Sequence, residues 1–232
     1  MIFAGLQKTS LIDYPGKVSC VVFITGCNLA CPFCHNPELA LGRYPQRISL
    51  DQFLQYLAPR RHLLDGVVVS GGEPTLASGL EEICRAVRDV GLPVKLDTNG
   101  TRPEVLARLI RDELLDYIAL DVKTTLERYA PDLANNAGIG LRVGESIQLI
   151  MQSGLAYEFR TTCVRPFVDD EIIAAIARAI QGARRYILQA FRPAVLLKPA
   201  FFGQDPPGFS PQAMERLRLT AAPWVADCLV RG

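Results

Sequence analysis

The sequence predicts an α/β protein built as a partial, open-sided parallel β/α barrel of about six βα units. Three observations predict it. Short β-branched or apolar runs alternate with longer stretches of helical periodicity over residues 17–189. Several of the short runs are apolar throughout, as strands covered on both faces are. Right-handed crossovers wind such units into one parallel sheet, and six are too few to close the usual eight-stranded barrel.

The elements follow in order. Residues 17–25 (KVSCVVFIT) read as a buried strand that delivers a cysteine-rich loop at its C-terminal end. Ser49-Leu50-Asp51-Gln52 has the form of a capping box and opens a helix that runs to about residue 60. Residues 66–70 (GVVVS) form the next strand, followed by a helix over 79–90 and a strand over 93–98. A helix over 103–113, a strand over 115–122 and a helix over 142–153 come next. The strand 156–164, the helix 169–181 and the strand 184–189 complete the series. After Phe191 the regularity ends in a proline- and aromatic-rich stretch, then a last helix over 211–221. The expected organisation is one domain, with a core over 1–192 and an irregular C-terminal cover and helix over 193–232.

Composition narrows the class. Of 232 residues, 49% are hydrophobic and 21% charged, which suits a globular protein with a substantial core. The formal charge is +1, so no global field draws nucleic acid or an anionic membrane, and neither is expected as a partner. The N-terminal stretch lacks the basic and apolar regions of a signal peptide, and no run is long and apolar enough to span a bilayer. Seven cysteines, three of them crowded together, suit metal binding in a reducing compartment better than a disulfide framework, so the expected location is cytoplasmic.

The crowded three lie in GCNLACPFCHN, where Cys27, Cys31 and Cys34 stand at CxxxCxxC spacing. Thiolates bind zinc, copper or iron–sulfur clusters. Structural zinc wants four ligands, usually as two CxxC-type pairs, and the other four cysteines are scattered singly. Three thiolates on a cubane cluster leave one iron open. Polar groups suited to binding also end each of the following strands, where parallel α/β folds bind their ligands. They are Gly71-Gly72-Glu73-Pro74, Asp97-Thr98-Asn99-Gly100, Asp121 with Lys123, and Arg160 with Thr161.

The CxxxCxxC motif, with Phe33 before the last cysteine, resembles the signature of the radical S-adenosylmethionine (SAM) enzymes, and SGGEPT (residues 70–75) resembles their GGEP motif. With DYPG (13–16), KLDTNG (95–100), LDVK (120–123) and EFRTT (158–162) the resemblance narrows to the glycyl-radical-enzyme activases. It is nearest to the activating proteins of anaerobic ribonucleoside-triphosphate reductase, in the longer form that resembles pyruvate formate-lyase activase, and covers the chain to about residue 192. The resemblance implies a radical SAM partial barrel and one [4Fe–4S] cluster on Cys27, Cys31 and Cys34. It implies SAM contacts at Phe33, His35, Gly71, Gly72, Glu73, Pro74, Asp97, Thr98, Asn99, Asp121, Lys123 and Arg160. Glycine at 72 is expected because its backbone must meet the SAM amino group. Asp97, Thr98, Asp121 and the Ala119 carbonyl correspond to a monovalent-cation site, and Lys123 to a catalytic residue that meets SAM and partner backbone.

Bland alternatives stay open: Asp97 and Asp121 as surface ion pairs with Lys95 and Lys123, Glu73 as a solvated turn residue, and Arg160 as a buried structural ion pair. Pyruvate formate-lyase activase has a histidine near the last strand, where this chain has LQAFRP and Gln189. The implied partners are a glycyl radical enzyme, by family analogy anaerobic ribonucleotide reductase, and an outside reductant such as flavodoxin or ferredoxin. Two other functions fit the same residues: a radical SAM enzyme acting on a small molecule, of the 7-carboxy-7-deazaguanine synthase type, and a non-catalytic electron carrier or zinc module.

Overall fold

A computed structural model describes residues 2–45, 47–192, 195–203 and 207–232, with side chains except at Ile2 and Pro131. By backbone contacts the chain divides into two compact units. One comprises Met1–Asn28, Asn36–Thr98 and Glu104–Ile118; the other comprises Leu29–His35, Asn99–Pro103 and Ala119–Gly232.

The first unit begins with β1 (Ile2–Phe3) and β2 (Gly5–Ser10), then β3 (Ser19–Ile24), the single-turn helix α1 (Pro37–Ala40) and β4 (Ile48–Ser49). Next come α2 (Leu50–Leu57), β5 (Gly66–Gly71), α3 (Leu80–Asp89), β6 (Val94–Thr98) and α4 (Pro103–Arg111, whose Pro103 belongs to the second unit). Its strands lie in the order β6-β5-β3-β2, with β5 parallel to β3 and β6, and β2 antiparallel to β3. Val67, Val68 and Val69 are fully buried, as the unbroken apolar run requires of a strand covered on both faces. α3 closes over the sheet with Leu80, Ile83, Cys84 and Val87, an i, i+3, i+4, i+7 stripe. The capping box is formed: the Gln52 backbone N–H donates to Ser49 Oγ at 3.1 Å, and the Ser49 N–H donates to Gln52 Oε1 at 2.9 Å.

β7 (Tyr117–Asp121) starts in the first unit and ends in the second, which continues with α5 (Tyr129–Asp132), α6 (Ile139–Gln152) and β8 (Ala156–Cys163). Then follow α7 (Asp170–Ala179), β9 (Tyr186–Ala190), α8 (Pro211–Ala221) and β10 (Cys228–Arg231). The strand order here is β10-β9-β8-β7, with β8, β9 and β10 parallel. β8 alternates in character. Phe159, Thr161 and Cys163 are buried on one face, while Glu158, Arg160 and Thr162 share the other. Asp169 and Ser210 cap α7 and α8 by accepting from the Ile172 and Ala213 N–H groups.

Among the described residues β2 and β10 each have a neighbour on one side only, so the sheet is open, as the count of six βα units leads one to expect. Two readings are corrected. The tail is not only an irregular cover and helix, because β10 pairs with β9 as a further parallel strand. And α6 starts at Ile139 rather than 142, where Gly140 packs against the Leu126 carbonyl so closely that an added Cβ would lie 1.8 Å from the oxygen. No described helix is long and apolar enough to cross a membrane.

Candidate active site

In the first unit, two motif loops are joined through their backbones. The Gly72 N–H donates to the Ile24 carbonyl and the Glu73 N–H to the Gly26 carbonyl, both at 2.8 Å. The SGGEPT turn is therefore bonded to the residue that precedes Cys27. A Cβ on Gly72 would lie 2.1 Å from the Gly26 oxygen, and one on Gly71, whose φ is +122°, would lie 2.3 Å from the Ile24 oxygen. Glycine is required at 72 by this chain's own backbone, a stronger reason than the ligand approach expected from sequence. The Gly26 and Cys27 N–H groups bond back to the Leu39 and Ala40 carbonyls, so α1 holds the outgoing side.

Glu73 is fully buried, not solvated. Its Oε1 accepts from the Thr75 N–H at 3.0 Å, from Thr98 Oγ1 at 2.7 Å and from the Thr75 hydroxyl. This carboxylate ties the turn after β5 to the end of β6. Pro74 opens the short 3-10 turn Pro74–Leu76 behind it. At the same strand end, Asp97 bonds the Lys95 ammonium and accepts from Ser70 Oγ at 3.1 Å. The Asp97–Lys95 pair is not a surface pair, because Lys95 is fully buried and also lies 5.8 Å from the Tyr117 ring centroid.

The second unit holds Cys31, Phe33, Cys34 and His35. The Cys34 N–H donates to the Cys31 carbonyl at 3.0 Å, making a tight turn, and the Ala30 N–H donates to the Leu133 carbonyl at 2.8 Å. Phe33 is buried against Phe167, with centroids 5.0 Å apart, and the His35 ring packs on Phe191 at 5.2 Å. Desolvation and then the Lys123 charge hold His35 below the ordinary histidine pKa. Asn99 is buried and caps its own turn, accepting from the Thr101 N–H at 3.0 Å.

Asp121 sits between two cations at the ends of β7 and β8. Arg160 Nε is 2.7 Å from Oδ1 and Lys123 Nζ is 3.5 Å from Oδ2. Burial alone would raise its pKa; Arg160 and Lys123 outweigh it and hold the carboxyl at about 2. Arg160 is thus ion-paired with Asp121. Tyr129, buried beneath, accepts from the Lys123 N–H at 2.9 Å, and burial pushes its own pKa up.

Register aligns Thr162 on β8 with Gln189 on β9, and Gln189 with Arg231 on β10. These three line a cavity of about 210 Å³ that His35 and Arg192 also border. Gln189 and a histidine therefore share one cavity, although the histidine comes from the cysteine loop. Sequence reasoning missed Tyr129, Phe167 and Phe191, whose spacing shows no motif; only the aromatic content of the tail hinted at the last.

No disulfide joins any of the seven cysteines. Burial pushes Cys20, Cys84 and Cys163 to about 12 and Cys228 to about 11, which leaves these four protonated and inert near neutral pH. The donor set left for soft-metal binding is the CxxxCxxC triplet, and Cys27 and Cys34 are partly exposed. Among the described residues no three His, Cys, Asp or Glu side chains are gathered closely enough to hold a single metal ion, so the case for the triplet as cluster ligands rests on its spacing.

The Radical SAM superfamily model matches residues 21–180. A protein of Methanocaldococcus jannaschii bearing the name glycyl-radical enzyme activating enzyme is 37% identical over 200 residues, which cover 83% of this chain and 80% of that protein. The pyruvate formate-lyase-activating enzyme of Listeria monocytogenes is 37% identical over 129 residues, 51% of this chain and 52% of its own length. Among solved structures, a radical SAM methyltransferase from Sphaerobacter thermophilus superposes with a TM-score of 0.69 at 16% identity, covering 96% of this chain and 68% of that one, a likeness of fold. The chain belongs to the radical SAM superfamily, among its glycyl-radical-enzyme activating enzymes. Membership brings with it SAM and a [4Fe–4S] cluster.

Proposed function

We propose that this chain activates a glycyl radical enzyme, with anaerobic ribonucleoside-triphosphate reductase as the partner class. The observation that carries the reading is the 200-residue similarity to an activating enzyme. Cys27, Cys31 and Cys34 would hold the cluster. With cluster and SAM bound, the site would supply one-electron reductive cleavage of the SAM sulfonium and so the means to take hydrogen from a glycine of the partner.

The chain's own residues position and exclude. Glu73, through Thr75 and Thr98, holds the Gly71–Gly72 turn where its backbone faces the cysteine loop root. Lys123 and Arg160 present positive charge suited to a carboxylate, with Asp121 fixing both side chains. Asp97 and Asp121 each have an ammonium or guanidinium partner already, which lessens the need for a monovalent cation beside them. An open sheet edge suits a protein substrate, because a peptide loop must reach the bound SAM. The four remaining cysteines are separately buried, so electrons come from outside, and a flavodoxin or ferredoxin fits that need.

The test is anaerobic reconstitution with SAM, a reductant and candidate partners, followed by electron paramagnetic resonance. A glycine-centred doublet on the reductase supports the reading. Deoxyadenosine formed with no protein radical on any candidate would favour a small-molecule substrate.

A further inference from the structure

Six aromatic rings of the second unit form a circuit that starts and ends on the two neighbours of Cys34. Phe33 packs on Phe167 at 5.0 Å, and Phe167 stacks on Phe201 at 5.4 Å, 23° from parallel. Phe201 meets Phe202 edge-on at 5.1 Å, Phe202 lies 6.4 Å from Phe191, and Phe191 lies 5.2 Å from His35. Phe201 and Phe202 belong to the 3-10 turn Pro199–Phe202, anchored by a bond from the Lys198 N–H to the Pro32 carbonyl at 3.1 Å. Two independent links, one main-chain and one aromatic, thus join this turn to the loop between Cys31 and His35.

Ordinary core packing does not account for the circuit. Phe167 is 1% exposed but Phe201 is 50% exposed, so its ring covers the stack rather than filling the interior. Aromatic pairs at these separations add favourable energy beyond their burial.

We propose that Phe201 and Phe202 are positioning residues for the cysteine loop, clasping Cys34 in place and keeping water from the thiolate side of the cluster. The proposal rests on the cluster reading above and extends it to residues outside the motifs. Water access stabilises the more negative, reduced cluster, so the clasp keeps the reduction potential low.

The test uses the full-length chain with Phe201→Ala, Phe202→Ala and the conservative Phe201→Tyr. In metal-free protein, site-resolved alkylation of Cys34 should rise about tenfold in the alanine variants, the factor expected from losing one aromatic pair. In reconstituted protein, iron loss to a chelator should speed up and the cluster potential should move positive, with Phe201→Tyr restoring both. Should Phe202→Ala fail to fold, the half-exposed Phe201→Ala decides. Unchanged Cys34 alkylation, chelation rate and potential in a folded Phe201→Ala protein would overturn the proposal. Altered alkylation in a protein that generates no glycyl radical would support the clasp and count only against the activase reading.

Discussion

The two arms of the cysteine loop are held by different physics. The root before Cys27 is fixed by main-chain hydrogen bonds at 2.8 Å to the Gly71–Glu73 turn, with no room for a side chain. The stretch from Cys31 to His35 is held mainly by aromatic side chains and by bonds at 2.8 and 3.1 Å from Ala30 and to Pro32. Backbone contact admits almost no variation, whereas ring packing tolerates rearrangement at modest cost. The first arm sets position; the second is adjustable.

Substitutions should rank accordingly. Gly72→Ala carries the largest effect, because its Cβ would lie 2.1 Å from a main-chain oxygen. A loss above about 4 kcal/mol, or failure to fold, is expected in urea denaturation. Glu73→Ala should follow at about 3 kcal/mol, since Thr75 and Thr98 lose a buried acceptor. A loss below about 1 kcal/mol at either position would break the contrast.

Asp121→Asn comes third. The folded pKa of about 2 lies below the ordinary 3.8, so the carboxylate stabilises the fold fully above pH 4 and loses that contribution as pH falls toward 2. Wild type should exceed the variant by about 2 kcal/mol at pH 6, and the gap should close by pH 2. Chemical denaturation across this range checks it; a gap that does not vary with pH would contradict the assignment. Phe167→Leu, in the aromatic arm, should cost least, about 1 kcal/mol. A cost as large as that of Gly72→Ala would erase the difference between the arms.

Much of the fold was legible because it is written locally. The three valines of β5 and the Ser49–Gln52 box each announce an element without help from distant residues. β2 escaped because Gln7, Lys8 and Thr9 are exposed on an edge strand, and β10 because four residues carry too little periodicity. Cysteine spacing and strand-end glycines pointed to the site, but not to why the glycines are needed, which lies in their approach to Ile24 and Gly26. The full burial of Lys95 and the pairing of Phe33 with Phe167 are products of tertiary packing between residues far apart or of unremarkable type. No local pattern encodes them.

The most direct measurement is a spectroscopic titration of anaerobically reconstituted, reduced protein with SAM. The account predicts about four irons per chain, a paramagnetic spectrum that changes when SAM binds, and loss of the cluster on replacing Cys27, Cys31 or Cys34 but not Cys84. Zinc in place of iron, or a cluster whose spectrum is indifferent to SAM, would contradict it.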